Sequence, residues 1–276
     1  MKKLILASAL VFSSTLQYPA QATAQTKPPG NTQPPVQPVK TPPVPTKGTS
    51  RPVFVMPKPP DGLSPMSGRR SGMGSRNDCP AVETPLTALV PFQERVANNK
   101  QTNTSTSADV WGLTTSERPT FWFYVPYSNM SAEFVLQDNE ENEIYKQQNI
   151  ALTAKSGVIG ISLPSNVASL QVGKTYRWFF KIRCNQKQIT SVPIYVEGDI
   201  QRINLNPILE QQLQEATDPR QKIAIYAANG IWFDALTILG QLRFANSNDA
   251  SLAADWQSLL QSGKLENIAA FPLVNY

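Results

Sequence analysis

The sequence predicts an α+β protein: an immunoglobulin/fibronectin-III-like antiparallel β-sandwich followed by a C-terminal helical hairpin, behind a disordered proline-rich N-terminal region. Three observations predict it. Residues 25–65 hold thirteen prolines and no periodic apolar pattern. Residues 86–203 break into short aromatic and β-branched runs separated by Asn, Gly, Ser and Pro clusters. From Asn206 onward the apolar residues recur at helical spacing. The corresponding divisions are a leader at 1–24, a linker at 25–77, a sandwich at 78–203 and a helical region at 204–276.

Lys2 and Lys3 precede an apolar run from Leu4 to Phe12, and Ala22-Thr23-Ala24 offers a small-x-small cleavage pattern before Gln25. The run is too short to cross a hydrocarbon core of ~30 Å as a permanent helix. No cysteine follows it for lipid attachment. These features predict a secretory signal cleaved after about Ala24, and a mature chain that is periplasmic or extracellular and carries no transmembrane segment.

Pro28-Pro29, Pro34-Pro35, Pro42-Pro43 and Pro59-Pro60 stud the next stretch, mixed with Thr, Gln, Val and Lys. Such a composition buries too little apolar surface to offset its ordering entropy, so an extended polyproline-like linker is predicted. About 40 residues at ~3.1 Å each reach on the order of 120 Å when fully extended. Two readings follow: a spacer that displays the domain at a distance, or a disordered leader. The run Gly68 to Arg76 places Arg69, Arg70 and Arg76 among glycines, a candidate anion contact through guanidinium and backbone N–H groups. No strand precedes it, and it lacks a Walker lysine and dinucleotide-loop spacing, so a flexible lead-in to the domain is favoured.

Charge divides along the same lines. Ten of the 25 Lys and Arg but only Asp61 and Asp78 of the 20 acids fall in residues 1–80, so the net charge of +5 belongs to the tail. The remainder is mildly acidic, which argues against a nucleic-acid groove.

Within the sandwich region, Thr120–Tyr127 is aromatic and extended, and Ala132, Phe134 and Leu136 alternate with Glu133, Val135 and Gln137. Val158–Leu163, Lys174–Cys184 and Pro193–Ile200 continue the series of strands. Leu170, Gly173 and Tyr176 have the form of a tyrosine corner, in which a tyrosine entering a late strand bonds the backbone of the preceding turn.

Asn206-Pro207 then supplies an N-cap and a first-turn proline, with Ile208, Leu209, Gln212, Leu213 and Ala216 at helical spacing. Asp218-Pro219 repeats the start signal. Gly230 separates two periodic stretches, the second carrying Trp232, Ala235, Leu236, Leu239 and Leu242; a last helix begins near Asp249 and stops at Gly263. The helix–Gly–helix segment resembles one tetratricopeptide unit, but no second copy appears at that period, so a hairpin docked on the sandwich is predicted rather than a solenoid.

Cys79 and Cys184 are the only cysteines. In a compartment where disulfides persist, a bridge between the start of the domain and a late strand is predicted; the alternative is two separate buried thiols. Alternation turns Trp122, Tyr124, Phe179 and Tyr195 away from the partners Phe121, Phe123, Trp178 and Val196. Either a protein or glycan partner covers those four outward aromatics, or the C-terminal hairpin does; the hairpin would satisfy both orphan apolar surfaces at once.

Histidine is absent, which excludes Ser-His-Asp and Cys-His catalysis, His-ligated metals and an imidazole switch. The acidic run Asp138-Asn139-Glu140-Glu141-Asn142-Glu143 reads as a solvated hairpin turn, lacking the central glycine and spacing of a calcium loop and the burial that separates glycosidase acids. No cofactor or metal and no catalytic residue is predicted.

Cys79-Pro80, Leu86–Pro91, Pro119–Tyr127 (Pro-Thr-Phe-Trp-Phe-Tyr-Val-Pro-Tyr), Ala132–Leu136, Gly173–Trp178 and Val196-Glu197-Gly198 together resemble a cyanobacterial family catalogued as domain of unknown function 928, over about residues 68–245. The resemblance implies a signal-bearing protein of the cell envelope and brings no catalytic residues with it. The function expected is a non-enzymatic envelope interaction module whose partner is an envelope protein or polysaccharide. The alternatives are a carbohydrate-binding module using the outward aromatics or a carboxylate-based glycoside hydrolase.

Overall fold

Ten strands and four helices make up the computed structural model, which describes residues 51–58, 68–72, 79–96, 106–185 and 192–275. The expected signal, the first half of the proline-rich linker and Arg76 lie outside the described residues. Two sheets form the β-layer. One has the order β1 (Ser71–Gly72), β2 (Leu86–Ala88), β5 (Thr120–Val125) and β8 (Gly157–Ser162). The other runs β3 (Phe92–Val96), β4 (Thr106–Thr114), β10 (Ile194–Arg202), β9 (Thr175–Arg183), β6 (Ser131–Gln137) and β7 (Glu143–Ala151). Neighbours are antiparallel except β4 and β10, which pair in parallel.

Aromatic residues at alternate positions fill the space between the sheets. Phe121 and Phe123 of β5 meet Phe134 of β6 and Trp178 and Phe180 of β9; the Phe123 and Phe180 rings stack with centroids 4.4 Å apart. Strand β9 shows why the pattern specifies its face: Tyr176, Trp178, Phe180 and Ile182 are buried, whereas the residues between them are not. The predicted tyrosine corner is present. The Gln171 N–H donates to the Tyr176 hydroxyl at 2.9 Å, and Gly173, at φ +78°, turns the chain so that its N–H reaches the Arg202 carbonyl at 2.7 Å.

Strand β5 is buried at every position, unlike a half-solvated sheet strand, because helices cover its other face. The helices are α1 (Pro207–Glu215), α2 (Pro219–Ala228), α3 (Trp232–Ala245) and α4 (Ala250–Ser262), so the hairpin about Gly230 is flanked by the helices expected from Asn206 and from Asp249. Trp122 draws on two of them: α3 offers Gly240 and Thr237, and α4 brings Trp256 to 6.4 Å. Three starts use the cap chemistry expected of them. Asn206 accepts from Leu209 N–H at 2.8 Å, Asp218 from Arg220 N–H at 2.9 Å, and Asp249 from Ser251 N–H at 2.8 Å.

Several bonds join helices to sheets. The Trp232 indole N–H donates to the Leu89 carbonyl at 2.7 Å. Asp234, in the first turn of α3, accepts from the Thr114 hydroxyl at 2.8 Å and from the Thr115 N–H at 3.1 Å; burial pushes its carboxyl above the ordinary range against the pull of Thr115. One cluster of buried side chains extends from Leu86 in β2 to Ile268 beyond α4. The main core therefore crosses residue 203, while a second, smaller cluster of Leu209, Leu213, Ala216, Ile225 and Ile231 lies within the helical part.

The linker reading of 25–77 extends too far. Residues 51–58 lie along the helices as a strap: Val55 N–H donates to Ala227 O at 3.0 Å, Phe54 N–H to Ser262 Oγ at 2.8 Å, and Ser258 Oγ to Pro52 O at 3.0 Å. Phe54 enters the core with its ring 4.9 Å from that of Trp232. Residues 68–72 are ordered too, with β1 paired to β2 and Arg69 paired to Glu197. At the other end of the chain, Val274 N–H and Pro272 O bond Val158 at 2.9 and 2.8 Å, which closes the free edge of β8. No helix among the described residues is long and apolar enough to cross a membrane.

Candidate functional site

The four outward aromatics divide between two surfaces. Trp122 is 8% exposed and donates its indole N–H to Thr237 Oγ1 at 3.2 Å; Tyr124 is 4% exposed with its ring 4.1 Å from that of Phe271. Neither is placed to touch a partner, so their assignment as contact residues is corrected: α3, α4 and the C-terminal segment already occupy that face. Phe179 and Tyr195 lie instead on the outer face of the six-stranded sheet, half-buried.

Strand register builds that face row by row. Glu133, Lys181 and Tyr195 stand side by side across β6, β9 and β10; one row along are Val135, Phe179 and Glu197, and one row the other way are Ser131 and Arg183. Cations lie against both rings. The Arg69 guanidinium is 4.4 Å from the Tyr195 centroid, and Lys181 Nζ and the Arg177 guanidinium are 5.3 and 5.6 Å from that of Phe179. Arg177 also bonds Glu197 at 2.9 Å and approaches Asp199 at 3.6 Å. Burial pushes the Asp199 carboxyl up to about 6 against the pull of Arg177.

Towards β4 this face closes, with Asp109, Trp111 and Leu113 buried; towards β7 it opens. Strand β7 carries an extra residue opposite β6 between Ala132 and Phe134, and Asn149 takes φ +56° there. The bulge leaves an open depression of about 620 Å³ lined by Ser131, Glu133, Gln148, Asn149, Lys181 and Arg183. Glu133 spans two donors in it, at 3.2 Å from Gln148 Nε2 and 3.4 Å from Lys181 Nζ. Lys181 and Arg183 were legible as outward residues, because they alternate with Phe180 and Ile182. The contribution of Gln148 and Asn149 depends on a bulge that no local pattern announces.

The remaining candidates have structural employment. Cys79 and Cys184 form a disulfide with Cα atoms 4.9 Å apart, joining residues 105 apart in the chain. Arg70 is corrected as an anion contact: it donates to the Gly263 carbonyl at 3.2 Å, beyond the end of α4, and lies 3.9 Å above the Phe92 ring. Burial lowers its pKa to about 10, with Glu266 opposing. Arg69 is exposed, held by its backbone bonds to Glu197 at 2.9 Å. The acidic run is a β6–β7 hairpin turn, in which Asp138 accepts from the Glu140 and Asn142 N–H groups at 2.9 Å. The Asn142 side chain, first among these bonds, lowers the Asp138 pKa. Among the described residues, no three Cys, Asp or Glu are grouped so as to hold a metal ion.

The model of the family described as Domain of Unknown Function (DUF928) matches residues 71–273, from β1 through the segment that closes β8. No curated protein matches the chain.

Proposed function

The chain belongs to the DUF928 family, and for this domain we propose a non-enzymatic role, as an interaction module of the cell envelope that holds polysaccharide on the outer face of its six-stranded sheet. The observation that carries this reading is the adjacency of Tyr195 and Phe179 to the open depression at the β7 bulge. Half-exposed rings offer flat apolar area to sugar faces, while the depression offers the amide, hydroxyl and ammonium groups that hydroxyls need. The basic start, apolar run and small-x-small site at residues 2–24 support an address beyond the cytoplasmic membrane. The proline-rich stretch up to the strap supports display on a tether.

We read the β-layer as immunoglobulin-like. Parallel pairing of β4 with β10, and a tyrosine corner leading into β9, support that reading. The acids of the face support binding over hydrolysis, because Glu197 and Asp199 both turn to Arg177 and Glu133 to Lys181.

Retention of the purified mature protein by isolated wall polysaccharide in affinity electrophoresis tests the proposal. Tyr195→Ala and Phe179→Ala are each expected to reduce retention with thermal stability preserved. Absence of retention, or retention indifferent to both substitutions, overturns it; shortening of the polymer would favour a hydrolase.

A further inference from the structure

Resting on the polysaccharide reading, we propose further that the depression at the β7 bulge is a subsite for a carboxylate-bearing sugar, so that the polymer held is an acidic one. Lys181 Nζ and Gln148 Nε2 converge on a carboxylate already, that of Glu133, at 3.4 and 3.2 Å. Both contacts are long for charge-assisted bonds, and the Lys181 and Glu133 side chains are 32% and 28% exposed, so the pair is loosely held. An incoming carboxylate can take the place of Glu133 beside the same donors. Arg183 stands one row along, opposite Ser131, and lines the same depression. The lining thus presents two cations, two amides and a hydroxyl against one acid.

Geometry joins this charge to a ring platform. Lys181 pairs across β9 and β10 with Tyr195, so a sugar ring at the edge of Tyr195, which Arg69 overlies at 4.4 Å, has Lys181 as its cross-strand neighbour. The volume, about 620 Å³, falls within the range of clefts that hold small ligands. An uncharged sugar would leave Lys181 no better compensated than Glu133 leaves it now.

Affinity electrophoresis of the full mature protein against polygalacturonate, neutral dextran and dextran sulfate distinguishes this inference from the reading beneath it. Polygalacturonate alone, or polygalacturonate well ahead of the other two, should retard the protein. Lys181→Ala should weaken that retention by about tenfold, the scale of one charge-assisted contact, whereas Lys222→Ala, in α2 of the helical layer, should leave it unchanged. Glu133→Gln has the opposite expected sign: removing the internal competitor should strengthen binding of the acidic polymer several-fold, which a merely structural role for Glu133 would not do. Equal retention by dextran, insensitive to Lys181→Ala, overturns the acidic subsite and leaves the polysaccharide reading standing. Equal retention by dextran sulfate reduces it to unselective charge attraction and overturns it as well. No retention by any polymer, including isolated wall material, overturns both.

Discussion

Replacing Gly240 by alanine sets two effects of opposite sign against each other. Glycine inside a helix costs about 0.5–1 kcal/mol relative to alanine, so on an open helix face the substitution would stabilise. In α3 the added Cβ would lie 2.7 Å from ring carbons of Trp122. That ring has little room to retreat: it is 8% exposed, bonded through its N–H to Thr237, and backed by Trp256 with centroids 6.4 Å apart. Overpacking of a filled core costs about 1–3 kcal/mol. With the ring unable to retreat, the upper part of that range applies, and after the helix-propensity gain a net loss of about 1–2 kcal/mol remains. At ~2–4 °C per kcal/mol for a domain of this size, the thermal midpoint falls by roughly 2–8 °C. Calorimetry of Gly240→Ala reads the sign directly. The same substitution in a Trp122→Phe background should cost less, because the two positions touch and their effects are coupled. A midpoint that rises, or an equal loss in both backgrounds, would refute the seating of α3 on Trp122.

Reduction of Cys79–Cys184 opens a loop of 105 residues, worth about 5 kcal/mol in the chain-entropy picture; the midpoint should drop by roughly 10–20 °C, and an unchanged midpoint after confirmed reduction would remove the staple. Asp199 has a folded-state pKa raised to about 6, so it favours the folded state below its unfolded pKa of ~4, and that contribution is lost as pH rises through 6. Asp199→Asn should accordingly gain on the wild type by up to about 3 kcal/mol between pH 4 and pH 7 in urea melts, since each pKa unit is worth about 1.4 kcal/mol; a gap constant with pH would count against it. Phe54→Ala should release the strap locally, speeding hydrogen exchange at the Val55 amide, which bonds Ala227, while the β5 amides stay protected; uniform loss of protection would show instead that the strap and the sheets unfold together.

Local chemistry is what the sequence made legible. Asn206, Asp218 and Asp249 announced their helices because a cap needs only the residues immediately after it. Tyr176 announced its corner for the same reason: hydroxyl and backbone partner lie five residues apart. The strap was hidden because prolines signal an extended chain whether or not that chain is docked. Its one distinguishing feature is Phe54, the lone aromatic between residues 25 and 77. Strand β7 was hidden because Glu143–Ala151 is largely polar and half-exposed, with its only deeply buried side chain at Ile150. Alternation correctly separated Trp122 and Tyr124 from Phe121 and Phe123 but named no neighbour for them, so the cover of each outward aromatic had to come from the fold.

The division of labour between the two outer faces follows from charge. The outward residues Trp122 and Tyr124 of β5 sit beside Gly160 and Val158 of β8, with no charged side chain between them, so helices can close over them at little electrostatic cost. On β9 and β10, Phe179 and Tyr195 are interleaved with Arg177, Lys181, Arg183 and Glu197, and Glu133 stands alongside on β6. Packing a helix there would strip water from five charges, at several kcal/mol each unless every one were repaired. The chain instead leaves these rings beside their own cations and in reach of water. A hydroxyl-rich polymer is suited to such a surface, because its hydroxyls take over the bonds that departing water made while its ring faces meet Tyr195 and Phe179. The interleaving that bars the chain's own helices from this face therefore also selects the kind of partner the face can accept.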